Sequence, residues 1–321
     1  MKNLLKTRFL AMIAIIAFTT VSCTDDSNDP TPTDNTITGI AARTADFSIL
    51  VQALTKAELA TTLQGSTEYT VFAPTNAAFT AFLATTTYNS INEVPKEVLT
   101  QILLNHVLTG TKKSTDLSTG YVKTLAKGSA STTNTLSMFV NTADNKVKLN
   151  GVATVTTANV IATNGVIHVV DKVIGLPTIV THADANPNFS TLATIVKSSA
   201  QTAVATALTT NTTPLTVFAP TNAAFTAALG AGGFANGATD AQVTKVLQYH
   251  VTAAGNVLAA SLTNGQIVPM ITSPVQNITI DLTAGAKITD KSATKANIIV
   301  TDVQCSNGVI HAVDKVLQPT L

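Results

Sequence analysis

Four of the five histidines of this 321-residue chain come in pairs with matching surroundings, His106 with His250 and His168 with His311. Asp171 and Asp314 follow the second pair at the same distance. Imidazole titrates near neutrality, and beside a carboxylate it forms the usual set for general acid–base work or for activating a nucleophile. The spacing argues against that use. His168 and Asp171 are three positions apart on an expected strand, so they face opposite sides of a sheet. His168 shares a parity with Val166 and Val170, which places it among apolar side chains with its nitrogens bonded to backbone. His106 ends an apolar helical stripe. Asp171 and Asp314 are expected to accept bonds from backbone or from Asn and Thr side chains, with Asn76 and Asn222 as partners. There is no His-Glu-x-x-His, Cys-x-x-Cys or Gly-x-Ser-x-Gly, no phosphate loop and no acidic calcium loop. The expectation is a protein without catalytic residues, metal or cofactor.

The elements that would hold these residues read as helices early and strands late. Tyr69–Ala73 and Leu215–Ala219 are short apolar runs ended by Pro74 and Pro220. Thr75, Asn76, Thr221 and Asn222 then offer side-chain oxygens for helix caps. Phe79, Phe82 and Leu83 fall on one helical face, and Phe225, Ala228 and Leu229 repeat the pattern. Pro95 suits the first turn of a second helix carrying Val98, Leu99, Ile102 and Leu103; in the second copy Asp240 is the expected cap before Val243, Val246 and Leu247. Strands are expected over 135–140, 146–149 and 159–162. Asn164-Gly165 and Asn307-Gly308 each lie between apolar runs, which predicts hairpins whose turn residues both have positive φ. The class is α+β.

Self-comparison gives the organisation. Thr70–Ala81 recurs unchanged as Thr216–Ala227, an offset of 146. Asn164–Val173 recurs as Asn307–Val316 with one change, an offset of 143, and His106-Val107 recurs as His250-Val251 at 144. Three blocks in one order predict two tandem domains, at 36–176 and 177–321. The blocks resemble the two signatures of the fasciclin (FAS1) domain, and Tyr249-His250 resembles its Tyr-His motif, with Asn105 in place of the Tyr in the first copy. That resemblance implies a twisted β-sandwich flanked by helices. It also implies extracellular adhesion or matrix roles, with a binding region around the Tyr-His motif.

Residues 1–22 read as an export signal: Lys2, Lys6 and Arg8, then the apolar Phe9–Phe18, too short to span a bilayer. Val21-Ser22-Cys23 resembles a bacterial lipobox, which implies lipid on Cys23. The polar stretch 23–35, with Asp25, Asp26 and Asp29, reads as a tether and resembles a surface-sorting signal. Setting the three leader cations aside from 19 leaves 16 basic residues against 18 acidic ones, so no surplus exists to neutralise phosphates, and nucleic acid is excluded as a partner. With no Trp and 5% aromatics, stacking platforms are scarce. Cys305, the second of two cysteines, reads as a small core residue.

The expected function is a non-catalytic adhesion or binding module, exported and lipid-tethered at the outer-membrane surface. Its partners would be an extracellular protein, a glycan or a second copy of itself, with membrane contact through the lipid alone. The alternatives are a structural accessory subunit of an envelope complex, or a small-ligand carrier or hydrolase.

Overall fold

The computed structural model describes residues 33–230 and 237–321. The export signal, Cys23 and the tether up to residue 32 lie outside the described residues. No helix among those described is long and apolar enough to cross a membrane.

In the first repeat α1 (Ile37–Arg43), α2 (Ser48–Lys56) and α3 (Ala60–Gln64) precede β1 (Tyr69–Pro74). Helices α4 (Asn76–Leu83) and α5 (Lys96–Leu104) follow. The strands β2 (Val107–Thr109), β3 (Gly120–Gly128), β4 (Ser131–Asn141), β5 (Lys148–Leu149), β6 (Ala153–Ala162) and β7 (Gly165–Val170) complete it. The second repeat has α6 (Ile179–Ala185), α7 (Ser190–Lys197), α8 (Thr202–Thr210), β8 (Leu215–Pro220), α9 (Asn222–Gly230) and α10 (Asp240–Gln248). It closes with β9 (Val251–Thr252), β10 (Ile267–Pro269), β11 (Asn277–Asp281), β12 (Lys287–Thr289), β13 (Ala296–Cys305) and β14 (Gly308–Val313). Each repeat forms one sheet of seven strands, ordered β2-β1-β7-β6-β5-β4-β3 and β10-β11-β12-β13-β14-β8-β9. Among the described strands only the motif strands run parallel: β1 beside β7, and β8 beside β14.

Alternation along β1 explains the layering. Val71 and Ala73 pack with Phe47, Leu50, Phe79 and Leu99 under the helices. Phe72, on the other face, packs with Met138, Val140 and Leu149 of β4 and β5. Strands distant in the order therefore meet face to face, and the sheet curls into a sandwich with helices on one side. The second repeat divides the same way, with Val217 and Ala219 under its helices and Phe218 in the sandwich.

Thr75 caps α4 by accepting from the Ala78 amide at 3.2 Å, as its type and place predict. Several local expectations are corrected. Pro95 is the cap before α5 and not a residue of its first turn. Val98 is exposed, while Leu99, Ile102 and Leu103 carry the buried stripe. Thr239, not Asp240, caps α10, because its hydroxyl and the Gln242 side chain satisfy one another's backbone amides. The hairpin turn is Thr163-Asn164, with Gly165 already paired to Ala162. Only Gly165 has positive φ there, so the pair is not a two-residue turn of the expected kind.

Candidate functional site

The paired histidines are buried, and protein backbone occupies their nitrogens. His106 Nδ1–H donates to the Ile102 carbonyl at 2.8 Å, and Nε2 accepts from the Ile174 amide at 2.9 Å. His250 repeats this with Val246 at 2.7 Å and Leu317 at 2.9 Å. In both, an amide donor on one nitrogen and a carbonyl acceptor on the other fix the neutral tautomer. Burial pushes both pKa values down to about 4. These bonds hold the end of a helix, α5 or α10, against the segment that leaves the last strand.

His168 and His311 tie the two repeated motifs together. His168 stacks on Phe72 with ring centroids 5.6 Å apart, and His311 on Phe218 at 5.7 Å. Nε2–H donates to the carbonyl of Lys112 in one copy and Val257 in the other, both at 2.9 Å. Nδ1 accepts from Asn159 N–H at 3.3 Å and Asp302 N–H at 3.4 Å. Those two residues have φ near 60° at bulges in β6 and β13, and the bulge turns the amide toward the ring. Thr70 and Thr216 hold the same loops, each accepting from a loop amide (Lys112, Val257) and donating to a loop carbonyl (Gly110, Gly255).

Asp171 and Asp314 do not meet Asn76 or Asn222. Asp171 accepts the Thr154 amide at 2.7 Å, and Asp314 accepts the backbone and side-chain amides of Asn297, so both fasten the neighbouring antiparallel strand. Asn76 and Asn222 instead clamp the start of α2 and α7, accepting from Ile49 and Thr191 amides and donating to Ser48 and Ser190. Tyr249 is fully buried and donates to the Asn277 carbonyl at 2.7 Å. Asn105, its counterpart, donates to the carbonyls of Ile174 and Gly175. Cys305 is buried, and burial pushes its thiol well above the usual range, where little thiolate forms. Among the described residues no three His, Cys, Asp or Glu side chains are grouped to hold a metal ion.

Sequence reasoning missed Asn164 and Asn307 as side chains, reading them only as turn formers. Asn164 accepts the Ile37 amide at 2.9 Å and donates to Leu63 and Gly65 carbonyls at 2.7 and 2.8 Å, so it pins α1 and α3 to the last hairpin. Asn307 does the same for Ile179 and Leu208. Asn164→Ala is expected to destabilise by about 2–4 kcal/mol, since a buried amide and two carbonyls lose their partner. Urea unfolding checks this, and a midpoint equal to wild type would mean that other groups satisfy the three backbone atoms.

The unpaired histidine marks a different place. His182 lies in a seam where β3 and β4 of the first repeat meet α6 and β13 of the second. It is fully buried, with Tyr121 edge-on at 5.4 Å, and neither ring nitrogen has a hydrogen-bond partner. The backbones of Gln304 and Ser137 lie against the ring outside normal bonding geometry. Burial first, then the Lys123 ammonium, push its pKa down to about 3. Around it Lys123 donates to the Asp302 carbonyl at 2.8 Å, Gln304 N–H to Ser137 Oγ at 3.0 Å, and Asn186 to Tyr121 Oη at 3.2 Å.

The fasciclin-domain profile matches residues 45–177 and again 187–319. The chain belongs to the fasciclin family. Protein sll1483 of Synechocystis sp. (strain ATCC 27184 / PCC 6803 / Kazusa) is 42% identical over 139 residues, which is 43% of this chain and 72% of that protein. Protein sll1735 of the same organism, described as uncharacterized, is 35% identical over 138 residues, 43% of this chain and 96% of its own length. A FAS1 domain pair from the insect cell adhesion molecule Fasciclin I shares the fold with a TM-score of 0.52 at 21% identity, covering 83% of this chain and 95% of that one. Fasciclin domains are generally non-enzymatic adhesion or binding modules. In this fasciclin pair the two signatures meet as the parallel strands β1/β7 and β8/β14, and their polar residues are spent on holding loops and helices. Each fasciclin repeat also keeps a small apolar cavity of about 30 Å³ between helices and sheet, lined in part by His250 in one copy and His106 in the other. An open surface groove of about 550 Å³ between α2 and the segment after α4 combines Gln52, Tyr88, Asn89 and Asn92 with Ile49 and Leu83.

Proposed function

We propose that this protein is a non-catalytic adhesion or binding module, held at the outer face of the cell envelope by lipid on Cys23. One observation carries the reading. The four paired histidines of the repeated blocks are buried and bonded to backbone, and Asp171 and Asp314 are engaged by the neighbouring strand, which leaves the outer surfaces for recognition. The adhesion molecule named for the structural neighbour supports it. So do the cationic start, short apolar run and cysteine of the leader, because stable anchoring needs more than one acyl chain and a lipidated terminal cysteine carries several. The partner class is an extracellular protein or a glycan.

The test is intact-mass analysis with surface proteolysis of native protein and of a Cys23→Ala variant. An acylated mass that vanishes in the variant, together with cleavage by protease added to whole cells, is the expected result. Unlipidated protein in the medium would overturn the tether. Lipidated protein sheltered from protease would overturn the outward placement.

A further inference from the structure

The seam between the repeats is head-to-tail, which leaves one free copy of each of its two faces. On the first repeat it uses the β3–β4 face, where Tyr121 pairs Phe139 and Lys123 pairs Ser137. On the second it uses α6 and the end of β13, presenting His182, Asn186, Asp302 and Gln304. Strand register carries both sets onto the other repeat. Thr154 and Asn297 occupy equivalent places, each giving its amide to the aspartate after the last strand. Counting pairs outward from them sets Ile267–Thr279 in the place of Tyr121–Phe139, and Pro269–Asn277 in the place of Lys123–Ser137. The caps on Ile37 and Ile179 set Ile40 in the place of His182. The bulges set Asn159 in the place of Asp302, and hence Ile161 in the place of Gln304.

The free faces carry isoleucine where the seam is polar. Gln304 is 1% exposed, and its counterpart Ile161 is 59% exposed. Ile267, the counterpart of the half-buried Tyr121, is 65% exposed, and Val275 at the tip of the β10–β11 hairpin is 66% exposed. The matching β3–β4 tip is the one that reaches across the seam, where Ala130 N–H and Ser129 Oγ donate to the Ser306 carbonyl at 2.9 Å. Large exposed apolar side chains at the two places that a repeated seam would cover point to a partner carrying the complementary face. The chain itself carries it.

We propose that a second copy of this chain docks its β10–β11 face, through Ile267 and Val275, on the α1–β6 face of the first, around Ile40 and Ile161, extending the internal seam from molecule to molecule. The contact is heterologous, so each added copy again offers both faces, and the assembly grows as an open chain or closes as a ring. This goes beyond the tethered-binding reading and stands without it, because it needs only two copies in one compartment.

The test is oxidative crosslinking of the full chain in the cells that make it. Ile161→Cys and Asn277→Cys replace exposed side chains, so folding is retained, and they stand in the places of Gln304 and Ser137, which touch across the internal seam at 3.0 Å. Co-produced single variants are expected to give a crosslinked dimer that neither variant gives alone, and the double variant a ladder of dimer, trimer and larger species. The wild-type lane measures any background from Cys23; Cys305 is buried. Adding Ile267→Asp, at a side chain 65% exposed, to the Asn277→Cys chain is expected to abolish the mixed dimer. A dimer formed by either single variant alone would mean a symmetric contact and overturn the proposal. Monomer in every lane would overturn it as well.

Discussion

Lowering the pH from 7 to 5 is expected to remove about 6 kcal/mol of folding stability. His106, His182 and His250 are fully enclosed and held neutral, with pKa values pushed down to about 4, 3 and 4. In the unfolded chain each returns to about 6.5. Below that value the unfolded state binds protons that the folded state refuses, so stability rises with pH through this window. The contribution is complete above about pH 6.5, falls as pH drops, and is fully lost only near the folded values. At pH 5 the deficit is about 2 kcal/mol for each histidine, from about 1.5 units at 1.36 kcal/mol each. That sum rivals the whole margin of an ordinary domain. His168 and His311 are lowered too, mainly by burial, and act with the same sign. Urea midpoints measured at pH 7.5, 6 and 5 check the expectation. A flat profile would mean that these rings take up protons in the folded protein.

Gly165→Ala is expected to cost more than about 4 kcal/mol, placing it among the most severe single substitutions. A methyl at residue 165 would sit 1.9 Å from the Tyr69 carbonyl oxygen, on the strand that β7 must pair with, and the backbone there has φ of +142°. The oxygen belongs to backbone inside the sheet and cannot step aside. Gly308 repeats the contact, 2.1 Å from the Leu215 oxygen. Gly120→Ala is the matched control, with φ of +154° but nothing within 4 Å of the added methyl. It should lose only the backbone strain, about 1 kcal/mol. Thermal unfolding of the two variants separates the causes: equal losses would show that backbone conformation, and not the close approach, demands glycine.

The motif strands, the cap at Thr75 and the buried stripe of α5 were legible because each depends on residues adjacent in sequence. The hairpin was misplaced by one residue because an Asn-Gly pair usually signals its own turn. Here the Asn side chain is needed by α1 and α3, about a hundred residues away in sequence. The histidines were readable as structural from parity, but their partners are loop and bulge backbone, which no side-chain pattern announces. Strand β3, whose apolar residues come in adjacent pairs (Tyr121-Val122 and Leu125-Ala126), gave no clear period. The seam was hidden for a related reason. It is made where the repeats differ, and a search for similarity passes over such positions. His182, the histidine without a counterpart, was the signal available.

The parallel pairing at the centre of each repeat also sets the order in which the protein is able to form. Tyr69 pairs with Gly165 across 96 residues, and Leu215 with Gly308 across 93. Every helix and every other strand of a repeat, apart from the opening helices, lies within that loop. Central pairing therefore waits for the final strand, and closing so long a loop is slow. A chain that emerges from a ribosome or an export channel amino end first has β2 available for one edge of β1, but leaves the other edge open until nearly the whole repeat is out. Such a repeat is completed all at once, on the side where its last strand is delivered.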